Sequence, residues 1–175
     1  AGTAVASGAD SLAIGGDGTD ADVLGAQATG NASTAVGVES NSTGLQSAAF
    51  GTIARATANN SLASGFASTA TAGQATAVGA HSLAAGLNAT AIGGGDTGLT
   101  APRATGTNSI AIGGGGGTDF GADASQTGAI AIGTNATAGF AGSVALGTGS
   151  VTSADNTVSV GSSSLARRIT NVADG

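Results

Sequence analysis

Two glycine-rich stretches carry the aspartates whose spacing comes closest to a known chemistry. Residues 15–20 and residues 114–119 both fit the first six places of the calcium-binding nonapeptide repeat. Calcium takes carboxylate and carbonyl oxygens, and such a repeat supplies them from successive coils. However, the two stretches lie far apart, and Asp22 and Gly121 stand where the repeat needs a large apolar residue. We therefore interpret both stretches as acidic loops without metal and keep calcium binding as the alternative.

Groups suited to catalysis are scarce in this chain. His81 is the only histidine, no carboxylate lies near it in the sequence, and there is no cysteine. A general base is therefore not indicated, and we expect His81 to be a solvated turn residue. The many serines lack the strand-to-helix elbow that activates a nucleophile. The sequence predicts neither an enzyme nor a cofactor.

The elements that must hold these loops come from one short phrase that occurs ten times. In each copy two positions, usually apolar, flank an alanine and a glycine follows, as in residues 11–15, except that Ser159 replaces the alanine in the last copy. The length of chain from one closing glycine to the next is the same in six of the nine cases, as from Gly37 to Gly51, and it is longer in the other three. A fixed short period is typical of repeat proteins, whose units stack on their sequence neighbours. The closing glycines are Gly15, Gly37, Gly51, Gly65, Gly79, Gly93, Gly113, Gly133, Gly147 and Gly161.

Each phrase alternates in side-chain size with a period of two, which predicts a short β-strand, named here the motif strand. Small residues three and five positions past the glycine, such as Ser40 and Ser42, predict a second strand. The chain should therefore wind as a flattened coil whose successive turns pair in parallel, about 4.7–4.9 Å apart. We expect the bulky flanking residues, such as Ile110 and Ile112, to fill the interior against the small ones.

This assignment leaves the central alanines of the motif strands facing outward. A column of outward alanines is a flat apolar strip, which is typical of a protein interface. We expect self-association through this strip, because so thin a coil buries too little surface alone. The alternative is that alanine merely suits a tightly wound strand. The strip consists of Ala13, Ala35, Ala49, Ala63, Ala77, Ala91, Ala111, Ala131 and Ala145.

Three coils are longer than the rest, and their extra residues begin with Gly-Gly. We expect these insertions near residues 16–32, 94–108 and 114–128, as loops at one corner of the coil. They hold six of the ten acidic residues. Because loops on a rigid scaffold often carry binding sites, the insertions are candidate binding surfaces, although no single binding residue is predicted.

Composition excludes several classes of function. Ten acidic residues against four arginines and no lysine give a net charge of −6, so nucleic acid is not an expected partner. The absence of cysteine rules out disulfides and thiolate metal sites. No apolar run reaches the roughly 20 residues of a membrane-spanning helix, and the N-terminus lacks the order of a signal peptide. We expect this stretch neither to span a membrane nor to export itself.

The C-terminal segment carries the most specific pattern. Residues 156–161 (Asn-Thr-Val-Ser-Val-Gly) and 167–175 (Arg-Arg-Ile-Thr-Asn-Val-Ala-Asp-Gly) resemble the neck of trimeric autotransporter adhesins. The preceding repeats resemble the YadA-like head motif of that family, so the resemblance covers essentially the whole chain. The chain departs from the simplest pattern in its three insertions and in Ser64, which replaces an aliphatic residue.

This resemblance implies an all-β chain that forms a left-handed parallel β-roll, a solenoid of short repeated coils, assembled as a homotrimer. The head would span residues 1–155, and the neck, residues 156–175, would lead to a coiled-coil stalk. The family's outer-membrane anchor, its only contact with the membrane, is expected outside this chain. In the neck, the arginines would bond carbonyls or acidic groups of neighbouring chains. The expected trimer contacts there are Asn156, Arg167, Arg168 and Asn171.

The function implied by the resemblance is that of an adhesin head on a Gram-negative cell surface. Three copies would attach by multivalent contact to host cells, extracellular matrix proteins or other bacteria. A second interpretation is a structural spacer of the surface fibre without its own ligand. A third is an ice-binding solenoid, but Leu83 and Val151 interrupt the threonine column that contains Thr69 and Thr137.

Overall fold

The chain forms a β-roll of two parallel sheets that face each other across a narrow interior. The computed structural model describes residues 2–18 and 24–173. Asp20 and Asp22 of the first insertion and the last two residues of the predicted neck lie outside these ranges. The described residues form strands and turns with no helix, and so none that could cross a bilayer. The predicted all-β roll is confirmed.

Each full coil contributes one strand to each of two sheets, named here the motif sheet and the companion sheet. Within each sheet neighbouring strands pair in parallel. The motif sheet consists of β2 (Leu12–Ile14), β4 (Thr34–Val36), β6 (Ala48–Phe50), β8 (Leu62–Ser64), β10 (Thr76–Val78), β12 (Thr90–Ile92), β14 (Ile110–Ile112), β16 (Ile130–Ile132), β18 (Val144–Leu146) and β19 (Val158–Ser159). The companion sheet consists of β1 (Thr3–Ala6), β3 (Leu24–Ala28), β5 (Asn41–Ser42), β7 (Arg55–Ala56), β9 (Thr69–Ala70), β11 (Leu83–Ala84), β13 (Arg103–Ala104), β15 (Asp123–Ala124) and β17 (Thr137–Ala138).

The ladder of the motif sheet keeps its register through the longer coils. Ala91 pairs with Ala111, and Ala111 with Ala131, although a longer coil separates the members of each pair. The extra residues lie between Gly93 and β13 and between Gly113 and β15. The second and third insertions therefore project from the corner where motif strands end, and they leave the strand pairing intact.

Small side chains from both sheets fill the interior. One coil, for example, places Ser33 and Ala35 inside from its motif half and Ser40 and Ser42 from its companion half, all 0 % exposed. The largest fully buried side chain is that of Pro102, and the other buried apolar residues of the described ranges are all alanines. Because four side chains of every coil meet between the sheets, the interior has room only for small groups.

The predicted orientation of the motif strands is therefore wrong. Their bulky flanking residues face outward, since Ile14 is 55 % exposed and Ile112 is 36 % exposed. The alternation identified which residues share a face. However, the companion strands already place two columns of small side chains in the interior, which leaves no room for a column of larger side chains. Ala13 is partly buried against the same core. The other alanines of the predicted strip are 0 % exposed and line the interior: Ala35, Ala49, Ala63, Ala77, Ala91, Ala111, Ala131 and Ala145.

Both turns of a coil depend on left-handed backbone. Gln46, Ile53 and Asn60 recur at even spacing along the chain with φ of 55°, 51° and 57°. Asparagine tolerates this conformation, but a β-branched side chain such as that of Ile53 adopts it only at an energetic cost. All closing glycines except the last have a still larger φ, 137° at Gly37, where a Cβ would overlap the carbonyl oxygen of Gly51. No residue with a side chain fits that position.

Adjacent alanines of β6 test which face is inward. Ala49→Leu is expected to destabilise the roll by about 1–3 kcal/mol or more, because a 0 % exposed interior position would be overpacked. Ala48→Leu should be tolerated, because Ala48 is only half-buried and its partner in the next coil is Leu62. Thermal unfolding followed by circular dichroism measures both. Equal melting temperatures for the two variants would contradict the assigned orientation.

Ile53 tests the strain in the turns. Ile53→Asn should raise the stability by about 1 kcal/mol, because asparagine accepts the left-handed region at lower cost. Denaturant unfolding would report the gain. The same exchange at Ile132, which lies in a motif strand, serves as the control and should not stabilise. A loss of stability on Ile53→Asn would show that contacts of the isoleucine side chain outweigh the backbone strain.

Candidate binding surfaces

The outer side of the motif sheet is mostly apolar, with interruptions at Thr34, Ser64, Thr76 and Thr90, and its apolar residues are named here the apolar face. Parallel pairing stacks its residues in two columns, with Ile110 beside Ile130 and Ile112 beside Ile132. Large exposed apolar surfaces on soluble proteins mark interfaces. The apolar face consists of Leu12, Ile14, Val36, Phe50, Leu62, Val78, Ile92, Ile110, Ile112, Ile130, Ile132, Val144, Leu146 and Val158.

The outer side of the companion sheet is mostly polar, although Val5, Leu83 and Val151 are apolar. Arg103 and Asp123 are cross-strand partners on this side. Burial raises the pKa of the Asp123 carboxyl, and the charge of Arg103 opposes that rise. Oδ1 of Asp123 is buried without a hydrogen-bond partner. Arg103 thus offsets part of the cost of a half-buried carboxylate.

The second and third insertions stack on each other as the paired insertions, residues 94–102 and 114–122. The backbone N–H of Gly115 donates to the Thr100 carbonyl at 2.7 Å, and the N–H of Gly117 donates to Oδ2 of Asp96 at 3.2 Å. Both insertions therefore form one hydrogen-bonded unit.

His81 lies in a turn, as expected, but its ring is held by neighbours. Its Nδ1 is 3.1 Å from the Gly95 carbonyl oxygen, at the base of the second insertion. The ring also packs edge-on against Phe66 with centroids 5.1 Å apart. These contacts position the loop and bring no acid or nucleophile to the imidazole.

The aspartates of the two calcium-like stretches make separate contacts. Oδ2 of Asp17 accepts a hydrogen bond from the Gly2 N–H at 3.1 Å. Oδ1 of Asp119 accepts one from Nδ2 of Asn135 at 2.9 Å. Residues 2–18 and 24–173 contain no group of three or more acidic or histidine side chains that could hold a metal ion.

Asparagines in the turns have a role that the sequence reasoning missed. Oδ1 of Asn59 accepts the N–H of Leu45 at 3.0 Å, and Oδ1 of Asn135 accepts the N–H of Phe120 at 2.7 Å. Each side chain thereby satisfies a backbone donor of the preceding coil. Asn59 and Asn135 lie at opposite corners of the coil, so no single position of the repeat indicated this role.

Arg167 of the predicted neck binds the last coil of its own chain. Its Nη1 donates to the Val160 carbonyl at 2.6 Å and to Oγ of Ser150 at 2.9 Å, and its Nη2 donates to the Thr148 carbonyl. The expected bonding to carbonyls is present, but within one chain. This guanidinium therefore holds the segment after the roll against the final turn.

The other predicted neck residues lie at the surface of the chain. Arg168 and Asn171 are exposed, and Asn156 is an exposed turn residue with φ of 56°. Contacts of Asn156, Arg167, Arg168 and Asn171 with neighbouring chains stay a prediction.

A solved structure of another protein has a similar geometry. The chain is similar to the crystal structure of the collagen-binding domain of the Yersinia adhesin YadA, with 27% sequence identity and a TM-score of 0.52. The similarity covers 77% of this chain and 76% of that chain. No curated protein matches the chain.

A family model described as the YadA head domain repeat matches well over half of the chain, and the gaps between its matches fall in the three insertions. The matched residues are 2–17, 28–54, 42–68, 56–82, 70–95, 103–115, 124–150 and 141–164. The repeated coils and their stacked turns are those of this family, and the chain belongs to the YadA head domain repeats.

Proposed function

We propose that this chain is the head of a bacterial surface adhesin that attaches to extracellular matrix or host cell-surface proteins, or to other bacteria. The observation that carries the proposal is the run of YadA head repeats along the roll, together with its likeness to a collagen-binding domain. Attachment by this head needs no reactive residue, and none of the contacts of His81 supplies one.

The proposed head is a homotrimer joined through the apolar face rather than through the alanines. The roll buries no large aliphatic or aromatic side chain of its own among the described residues, so this face is the main apolar surface left for burial. Leu146 is 46 % exposed and Val158 is 70 % exposed in the single chain. Because these side chains are already partly buried in the single chain, completing their burial between three copies would supply about 1–2 kcal/mol each.

Residues 156–175 are proposed to form the neck that passes from the roll to a stalk. Arg167 supports this role because it bonds the carbonyls of Val160 and Thr148 and so fixes where the chain leaves the roll. Arg168 and Asn171 are exposed and available to neighbouring copies. A cell-surface position, with the outer-membrane anchor supplied by another part of the protein, belongs to the same proposal.

The trimer proposal is tested by replacing two isoleucines of the apolar face. Ile112→Ser together with Ile132→Ser should reduce the mass measured by light scattering from three protomers toward one, or lower the melting temperature, because the interface loses its apolar contacts. Leu83→Ser, on the companion sheet, is the control and should change neither. A trimer of unchanged mass and melting temperature would contradict an interface on this face.

The adhesin proposal is tested with the purified trimer on immobilised collagen and a panel of other matrix proteins. We expect saturable binding that weakens strongly when the same chain is made monomeric, because linked weak sites sum to high avidity. Surface plasmon resonance gives both affinities. If the folded trimer binds neither matrix proteins nor cultured cells, the chain is a spacer of the fibre and the adhesin proposal fails.

A further inference from the structure

The paired insertions, residues 94–102 and 114–122, form a hydrogen-bonded surface at the corner of the roll where motif strands end. Besides the bonds between Gly115 and Thr100 and between Gly117 and Asp96, the N–H of Gly121 donates to the Leu99 carbonyl at 3.3 Å. Adjacent coils hold this surface from both sides. A partner that binds here would therefore meet a preorganised backbone, which lowers the entropic cost of binding.

Large apolar side chains project from this surface. Leu99 is 62 % exposed and Phe120 is 57 % exposed, and their backbones lie on adjacent layers joined through Gly121. Phe66, 49 % exposed and packed on His81, continues the same corner in the preceding coils. Exposed aromatic and aliphatic side chains on an ordered scaffold are typical anchors of protein interfaces.

The charge of this surface has one sign. Asp96 and Asp119 are both exposed, and residues 94–102 and 114–122 contain no arginine or lysine. Arg103, which follows the second insertion, lies on the companion sheet opposite Asp123. The field around Leu99 and Phe120 is therefore negative and complements a positively charged partner.

We propose that the paired insertions bind a protein segment in which lysine or arginine stands beside aliphatic or aromatic side chains. Leu99 and Phe120 contact the apolar side chains of that segment, and the carboxylates of Asp96 and Asp119 pair with its cations. This inference rests on the proposed function as an adhesin head and names the chemistry of one partner.

The test measures binding of labelled synthetic peptides to the intact protein by fluorescence anisotropy. One peptide alternates lysine with leucine and phenylalanine, a second has glutamate in place of lysine, and a third has serine in place of the apolar residues. The first should bind, the second should not bind, and the third should bind weakly. Affinity for the first should fall as salt rises.

Two double variants examine the surface itself. Leu99→Ser with Phe120→Ser should weaken binding of the first peptide about tenfold or more. Asp96→Asn with Asp119→Asn should weaken it about threefold to tenfold and flatten the salt dependence. Asparagine keeps an oxygen that can accept the N–H of Gly117 or the side-chain N–H of Asn135, so these loops should stay folded.

The matched controls lie at the opposite corner of the roll. Leu45→Ser with Phe140→Ser removes two apolar side chains that are 45 % and 40 % exposed. Asp10→Asn with Asp155→Asn removes two exposed carboxylates. Neither control should change the affinity by more than about twofold, given that distant surface changes act independently.

Several outcomes would overturn the proposal. The proposal fails if the glutamate peptide binds as tightly as the lysine peptide, or if the control variants lose as much affinity as the loop variants. It also fails if Leu99→Ser with Phe120→Ser lowers the mass of the trimer or its melting temperature, which would place these residues between copies. If the protein binds matrix proteins but not the first peptide, this inference fails and the adhesin proposal stands. If the protein binds no matrix protein or cell, but binds the first peptide and loses that binding in the loop variants, the site is supported and the adhesin proposal fails.

Discussion

Stacking identical coils in register at the spacing of one β-strand is the constraint on which this structure depends. Each residue lies directly beside its equivalents in the coils on either side, so side chains form columns and a column must suit every layer. At the corners a Cβ on Gly15 would overlap the Gly37 carbonyl oxygen. Inside, the pairs of small residues leave space for methyl and hydroxymethyl groups only. Composition follows from this geometry: alanine, serine and glycine are abundant because the stack excludes larger residues.

A roll with so small an interior places its large apolar side chains on the outside. Ile14, Phe50 and Leu146 are each more than two-fifths exposed, which would be costly for an isolated soluble chain. Association of copies through the apolar face would resolve this cost, and the resulting assembly would have its principal core between the chains. Folding and assembly would then be one process, because the single roll has little burial of its own to stabilise it.

Sequence reasoning predicted the strands, the parallel pairing and the roll, because a short fixed period closed by glycines leaves few other windings. It did not predict which face of β6 points inward, since the alternation of Ala48, Ala49 and Phe50 fits either orientation. The answer depended on the companion strands, whose small residues were read correctly but were not counted as filling the whole interior. The left-handed turn at Ile53 and the bonds of Asn135 were also missed, because neither leaves a local preference in the sequence. The contacts between the paired insertions arise from stacking of distant segments, which no single segment encodes.

The corner after the motif strands accepts extra chain length without consequence for the ladder of the motif sheet. β12 pairs with β14, and β14 with β16, as regularly as the strands of the short coils do, although one insertion follows β12 and another follows β14. The scaffold and the surface it displays can therefore change independently. Loop sequences at this corner can be exchanged, and so change what antibodies or partners meet, while the roll beneath keeps one construction. The same corner is a natural place to graft a foreign epitope.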